Sequence, residues 1–258
     1  MGKGRTLVIG DVHGSFRGLS QVLTRCKWQP EDTIIQLGDV ADGWSEVPEC
    51  VDLLLSLPNV ISIRGNHDVW CYDWFKYGDT PYLWTKQGGK ATIDAYNRTG
   101  KHQDPFHISF WEDQKDWYID DENRLFIHGG WPYAEPKQNF PEFHVGEISD
   151  MTLFKLQAGL NIDGTGLGSI AKECHWDVEL LDAAKFSHPN GFKNLRLFKE
   201  IFIGHTSTQD ALPHRYCNLW QMDTNAARGG VLTIMDVDTK QFWQSDRSRD
   251  LYPNEKGR

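Results

Sequence analysis

The sequence predicts an α/β fold built on parallel strands, and three observations predict it. Short β-branched and apolar runs alternate with amphipathic helical stretches through the first 68 residues. Two later runs, at residues 124–127 and 200–203, end as the early ones do, with glycine beside a metal-binding side chain. The tail then changes to short strands joined by a tight turn.

Residues 6–9 (TLVI) read as the first strand. Ser15 is placed to cap a helix running to about Cys26, with Phe16, Leu19, Val22 and Leu23 on one face. Residues 33–37 form the second strand. Residues 46–57 read as helix, with Val51, Leu54 and Leu55 apolar, until Pro58-Asn59 stops it. Residues 60–63 are the third strand. The β-α-β-α-β order argues for parallel pairing, because each helix supplies the crossover that parallel strands need. The stretch 69–121 is polar and aromatic and reads as helices and loops beside or over the site, its rings filling core more readily than forming a platform. A second insertion covers 131–199. In the tail, residues 219–223, 230–237 and 241–245 read as antiparallel strands, with Asp238-Thr239-Lys240 as a hairpin turn. No repeat or linker interrupts the chain, so a single domain over 1–258 is expected, with insertions at about 69–121 and 131–199.

Composition narrows the partners. A formal charge of −9 argues against a broad grip on extended nucleic acid, which needs a basic face. Cys26, Cys50, Cys71, Cys174 and Cys217 are scattered with no C-x-x-C pair, which favours reduced thiols and a cytoplasmic location. No run approaches the roughly 18 apolar residues of a membrane helix, and no signal peptide is expected.

Five short motifs carry the chemistry: GDVHG (10–14), GDVAD (38–42), RGNHD (64–68), HGG (128–130) and GH (204–205). Asp11 and His13, one residue apart after a strand, can reach one metal ion. Asp39 has two carboxylate oxygens and can bridge two. Asn66 offers a carbonyl oxygen, and His128 and His205 offer imidazole nitrogens. This mixed donor set suits Mn²⁺, Fe or Zn²⁺ better than Ca²⁺. Gly10, Gly38, Gly65 and Gly204 permit the sharp turns and close approach such strand ends need. Two divalent ions roughly 3.5–4 Å apart can generate hydroxide from water, neutralise a phosphate and align in-line attack. The departing oxygen then needs a proton. His67 is the candidate general acid and Asp42 the group that orients it. Arg64 can hold the substrate phosphate through its planar fork, with Asn66 and His67 alongside. Asp68 either supports a ligand or caps a helix. Trp44 and Trp131 are the aromatics expected in the cleft, because each adjoins a site motif. Asp223-Thr224-Asn225 is expected in a strand-end turn near the site, with Asn225 a weaker contact. His144, like the other histidines outside the motifs, reads as structural.

These motifs, with FIGHT and the tail MDTNAARGGVLTIMDVD, resemble the calcineurin-like metallophosphoesterase superfamily. The resemblance is closest to the phosphoprotein phosphatase branch, which includes compact bacterial and phage protein phosphatases and diadenosine tetraphosphatase-like enzymes. It implies a four-layer α/β/β/α sandwich of two mixed sheets, the C-terminal strands completing the second. It implies Asp11, His13 and Asp39 at one metal, and Asp39, Asn66, His128 and His205 at the other. It also implies the His67–Asp42 acid pair. The chain departs from that branch in three places. Gly43 follows Asp42 where an Arg is usual, Asp68 replaces a Glu, and His175-Trp176-Asp177 lacks an expected Arg. Arg196 is the lone Arg of that insertion. Ser207 stands where other superfamily members place a further histidine ligand.

The function expected is hydrolysis of phosphomonoesters, with a serine/threonine phosphoprotein as substrate. The thinned arginines and aromatic insertions keep open a nucleotide or nucleic-acid-end phosphoesterase, acting on a dinucleoside polyphosphate or a cyclic phosphodiester. A third reading is a metal- and phosphate-binding protein without turnover.

Overall fold

The structure is a computed structural model that describes residues 4–130, 174–188 and 198–258. Trp131, His144 and Arg196 lie outside the described residues.

Strand β1 (Thr6–Ile9), helix α1 (Phe16–Arg25), β2 (Thr33–Gln36), α2 (Val47–Ser56) and β3 (Val60–Ser62) follow the expected order. α1 buries Leu19, Val22 and Leu23, the apolar stripe that its spacing predicts. Ser15 sits at its N-cap, but the hydroxyl makes no capping bond and instead lies against Ser248 Oγ. α3 (Asn66–Tyr77) begins inside the third motif, so Asn66 and His67 project from a helix start and not from a loop. A short turn α4 (Tyr82–Trp84), a π-turn (Thr85–Gly89), α5 (Lys90–Thr99) and α6 (Pro105–Glu112) complete the first insertion's helices. α6 starts on Asp104, whose side chain accepts from Phe106 N at 2.9 Å.

That insertion also holds β4 (Trp117–Ile119), which the sequence reading missed. It pairs antiparallel with β5 (Arg124–Ile127). α7 (Glu179–Ser187), β6 (Glu200–Ile203), β7 (His214–Tyr216), β8 (Leu219–Gln221), β9 (Thr233–Asp236), β10 (Phe242–Gln244) and the final turn α8 (Ser248–Leu251) follow.

Among the described residues these strands make two five-stranded sheets, ordered β10-β9-β1-β2-β3 and β4-β5-β6-β8-β7. Both are mixed: β1, β2 and β3 run parallel in the first, and β5, β6 and β8 in the second. Two expectations for the tail are corrected here. β8 runs parallel to β6, and β9 and β10 extend the first sheet, so the tail does not simply complete the second sheet. Short isolated strands carry no sign of direction; pairing across the molecule decides it.

Strand alternation builds the layers. Leu7, Ile9 and Ile34 face α1 and α2, while Val8 and Ile35 face the other sheet. On β5 and β6, Leu125, Ile127, Ile201 and Ile203 pack with Leu180 and Ala184 of α7, and Phe126 and Phe202 turn inward. The result is helix, sheet, sheet, helix. Phe126 stacks on Phe202 at 5.1 Å, and Phe202 on Trp220 at 6.4 Å, a ladder across three registered strands. Phe126 is fully buried between the sheets. Phe126→Ala should therefore cost about 3–5 kcal/mol of stability, measured by urea unfolding; a cost below about 1 kcal/mol would mean that the two sheets do not share this core.

Candidate metal centre

Parallel strands end on the same edge of their sheet, and here side chains just beyond those edges of both sheets meet. β1 leads to Asp11 and His13, β2 to Asp39, β3 to Asn66, β5 to His128 and β6 to His205. All but His205 are buried to within a few per cent. Ligand atoms of Asp11, His13 and Asp39 lie within 4.8 Å of one another, and those of Asp39, His128 and His205 do the same. Asp39 belongs to both groups. Asn66 Oδ1 stands 3.1 Å from His128 Nε2 and 3.0 Å from His205 Nδ1.

The loops are knitted so that these atoms converge. Val12 N and His13 N donate to Asp39 O at 3.0 and 2.8 Å. His13, Asp39 and His205 all have positive φ, a conformation that side-chain-bearing residues hold at a cost and that clusters at functional sites. Gly65 and Gly204 are required by close approach: a Cβ on either would fall 2.1–2.2 Å from a carboxylate oxygen of Asp39 or Asp11. Asp68 does both jobs left open for it. Its Oδ2 accepts from Gly65 N at the start of α3, and its Oδ1 accepts from Val40 N and Ala41 N, bracing the Asp39 loop.

Outer partners fix the imidazoles. His13 Nδ1 lies 2.9 Å from Ala41 O and His128 Nδ1 2.7 Å from Leu37 O, so each Nδ1–H donates to a carbonyl. His13 Nε2 then points at Asp39 Oδ2, 3.5 Å away. Burial drives the His13 pKa down to about 3, so this neutral nitrogen presents a lone pair to a carboxylate. Two acceptors facing each other are unfavourable unless a cation lies between them, and the donor set therefore fits a divalent ion. Burial and the neighbouring His128 hold His205 at about 3, leaving it neutral as well. His128 goes the other way. Burial opposes its charge, but Asp39 outweighs burial and lifts it to about 10. Burial, with Asp223 next, raises Asp11 well above the ordinary carboxylate range.

Asp223 lies in the strand-end turn expected near the site, though no role of its own was expected of it. It sits just past the end of β8, the strand whose direction the sequence concealed. Its Oδ2 accepts from Ser207 Oγ at 2.6 Å and its Oδ1 from Asn225 N at 2.8 Å. Ser207 thus serves a buried carboxylate beside Asp11. Asn225 Oδ1 is buried with no hydrogen-bond partner among the described residues.

A sequence model of calcineurin-like phosphoesterases matches residues 4–228. The chain belongs to the calcineurin-like phosphoesterase family. An uncharacterized protein of Methanocaldococcus jannaschii is 30% identical over 174 residues, 57% of this chain and 71% of its own length. Serine/threonine-protein phosphatase 2 of Escherichia coli is 34% identical over 90 residues, 34% of this chain and 39% of its own length. The fold is shared with a protein serine/threonine phosphatase from Saccharomyces cerevisiae, at TM-score 0.56 and 16% identity over 95% of this chain and 80% of that one. It is shared also with a structure provisionally assigned as a diadenosine tetraphosphatase, at TM-score 0.55 and 15% identity over 94% and 93%. Family and phosphatase relatives together make this calcineurin-like chain a phosphoric ester hydrolase.

Beside the candidate ligands of this family member stands the proposed acid. His67 Nδ1 is hydrogen-bonded to Asp42 Oδ2, and both side chains are fully buried. Asp42 is held from two further sides, by Trp84 Nε1 at 2.8 Å and Thr92 Oγ1 at 2.7 Å. Burial raises the Asp42 pKa, and these bonds pull against the rise. His67 Nε2 is buried with no hydrogen-bond partner among the described residues. A buried polar atom without a partner is costly, and the His67 ring lies edge-on to that of the candidate ligand His13 at 5.3 Å.

Arg64 is placed differently from the phosphate fork expected of it. Its Nη2 donates to Trp111 O and Glu112 O, both at 2.9 Å, and its guanidinium lies 5.1 Å over Tyr72. Trp44 is not a cleft residue. It is 1% exposed, stacked on Tyr252 at 5.0 Å, with Nε1 donating to Ala226 O. The rings that do adjoin the site are Trp70, edge-on to His67 at 5.1 Å, and Trp176, edge-on to Trp70 at 4.9 Å. A signal for Trp70 was present: it lies three residues after His67, on the same face of α3. Trp176 is reached only through folding, since Cys174 O accepts from Gly129 N and Gly130 N beside His128. His175, where an Arg was sought, is bonded to Asp116 at 2.9 Å. Gly43 has φ +80° and lies so close to Gly88 that a Cβ on Gly88 would meet Gly43 N at 2.9 Å. A Cβ at position 43 would itself meet His13 O at 2.9 Å and His13 Cβ at 3.1 Å, so a side chain there would press on a candidate ligand.

Proposed function

We propose that this chain is a dinuclear-metal phosphomonoesterase of the serine/threonine phosphoprotein phosphatase type. The observation that carries the reading is the sharing of Asp39 between two ligand groups, with the unpartnered His67 Nε2 next to them. Asp11, His13 and Asp39 would hold one ion, and Asp39, Asn66, His128 and His205 the other. Two divalent cations, Mn²⁺ in our reading, supply an activated water and neutralise the phosphate when bound there. His67 presents Nε2 to the ester oxygen and gives it a proton as the bond to phosphorus breaks. Asp42 accepts from Nδ1–H, which fixes the ring and leaves Nε2 as the nitrogen free to meet the ester oxygen. Asn66 and His67 face the phosphate, and Arg64, half committed to α6, adds positive charge behind them. No helix among the described residues is long and apolar enough to cross a membrane. The five cysteines form no disulfide, which supports our placing the protein in a reducing compartment such as the cytoplasm.

Trp70 and Trp176 favour a second reading, in which the leaving group is a nucleoside that stacks beside His67. Mn²⁺-loaded protein should contain about two ions per chain and hydrolyse p-nitrophenyl phosphate, losing activity to chelator and regaining it with Mn²⁺. Undiminished turnover by metal-free protein defeats the proposal. Rates on a phosphoserine peptide, diadenosine tetraphosphate and a 2′,3′-cyclic nucleotide separate the two substrate classes. Tight binding of metal and phosphate without hydrolysis of any of them would leave a binding protein.

A further inference from the structure

The first two motif loops lie back to back. His13 N donates to Asp39 O at 2.8 Å, His13 Nδ1–H donates to Ala41 O at 2.9 Å, and His13 O accepts from Trp44 N at 3.0 Å. Among the described residues, every hydrogen bond of His13 thus runs to the segment 39–44. The two backbones touch at the outer end of this seam. A Cβ on Gly14 would meet Trp44 O at 2.4 Å, and one on Gly43 would meet His13 O at 2.9 Å. Gly14 has φ +66° and Gly43 φ +80°, so glycine serves both space and conformation here.

Trp44 and Tyr252, both 1% exposed, close the outer end. Their rings stack at 5.0 Å, and Trp44 Nε1 donates to Ala226 O at 2.9 Å. The Tyr252 hydroxyl joins the two loops. It accepts from Arg17 N at 3.1 Å, just beyond the first motif, and donates to Glu46, just beyond the second. The Arg17 guanidinium also lies over the Tyr252 ring at 4.6 Å. Behind them Glu255 accepts from Ser45 N at 3.0 Å and from Ser45 Oγ at 2.7 Å. The other site residues of the second motif have supports of their own. Asp68 braces the Asp39 loop through Val40 N and Ala41 N, and Thr92 and Trp84 hold Asp42. His13 depends on the seam.

We propose that Trp44 and Tyr252 are positioning residues: a clamp that locks the two motif loops together and so sets His13 for the metal ion it would share with Asp11 and Asp39. The inference rests on the two-metal reading for the identity of the ligand, a divalent cation. It gives a reason for the Gly43-Trp44 pair: glycine lets the seam close, and the tryptophan turns away from the cleft to anchor it. Positive φ at His13 and Asp39 is costly at the centre, and the clamp supplies contacts outside it that offset the cost. Partners behind a ligand typically change metal affinity by about tenfold to a hundredfold when they are removed.

The test is calorimetry of the metal-free full chain titrated with Mn²⁺ alone. His13→Ala marks which binding event depends on His13. Tyr252→Phe keeps the ring and removes the hydroxyl that joins the loops. Trp44→Phe keeps the stack and removes the bond to Ala226. Each should weaken the His13-dependent event by about tenfold and leave the other within about twofold. The double variant should lose less than the product of the two, since both act on one clamp. Glu255→Ala, at an exposed position, should show a smaller loss of the same kind. A His13-dependent affinity within about twofold of the parent in both single variants overturns the proposal. So does an equal loss of both ions, the mark of general loosening. A parent that binds one ion, lost in His13→Ala, fails the two-metal reading, and the clamp is then judged on that ion by the same limit. Binding indifferent to His13→Ala, or no binding at all, overturns the clamp together with that reading. Two ions bound without hydrolysis of any ester would end the phosphatase reading and leave the clamp standing.

Discussion

Asp39→Asn should abolish both metal binding and hydrolysis, lowering kcat/KM by about 10³-fold or more. The carboxylate is the one group shared by the two ligand sets, so its loss weakens both. Its Oδ2 lies 3.5 Å from His13 Nε2 and 3.4 Å from His128 Nε2, and its Oδ1 accepts from His67 N at 2.9 Å. The amide keeps the shape but removes the negative charge that offsets a divalent ion, and it turns a hydrogen-bond donor toward the histidines. The metal-free protein shows what the charge does. Burial would raise the Asp39 pKa, but His128 and the other histidines hold it well below the ordinary range, while Asp39 lifts His128 to about 10. The pair is therefore ionised at neutral pH. The Asp39 share of its stabilisation is lost as pH falls through the carboxylate's folded pKa, and the His128 share as pH rises toward about 10. A metal ion competes with the His128 proton for the same place. Metal analysis and p-nitrophenyl phosphate kinetics check the prediction; a variant that keeps both ions and more than a tenth of the rate would remove Asp39 from the bridge.

His67→Ala should leave the metal content intact and lower kcat by about 10²–10⁴-fold on an alkyl phosphate such as a phosphoserine peptide. On p-nitrophenyl phosphate the loss should be much smaller, because that leaving group departs without a proton. This difference separates an acid from a residue that merely packs. His67 is edge-on to His13 at 5.3 Å and to Trp70 at 5.1 Å, so its removal also leaves a gap, and a structural defect would slow both substrates alike. Asp42→Asn should follow the same pattern with a smaller loss, since Trp84 and Thr92 still hold the position. Equal loss on both substrates would take the acid role from His67.

The ligand ends of five strands were legible because they are local features. A strand reads from a few β-branched residues, and glycine next to Asp, Asn or His marks where it stops and what it delivers. The pairing of His67 with Asp42 was legible too, since each sits at a fixed offset from a ligand. Asp68 was half legible: its capping of α3 is local, but its hold on Val40 N and Ala41 N crosses 27–28 residues. What stayed hidden depends on partners far along the chain. β8 reads as any short strand, and only its place beside β6 makes it parallel and sets Asp223, in the turn expected near the site, next to Asp11. Trp44 follows a site motif yet turns inward, because Tyr252 and Ala226 O cover its ring and satisfy its N–H. Trp176 reaches the neighbourhood of His67 through its contact with Trp70, 106 residues away along the chain.

The sequence by itself determined the α/β class, the strand ends that gather the candidate ligands and the His67–Asp42 contact, because side-chain periodicity and strand-end chemistry are written within a few residues. The tertiary structure alone decided which sheet each tail strand joins and that Trp176 stands beside Trp70 next to His67. Those depend on packing and long-range pairing, where the free energy of a contact is set by what arrives from elsewhere in the chain.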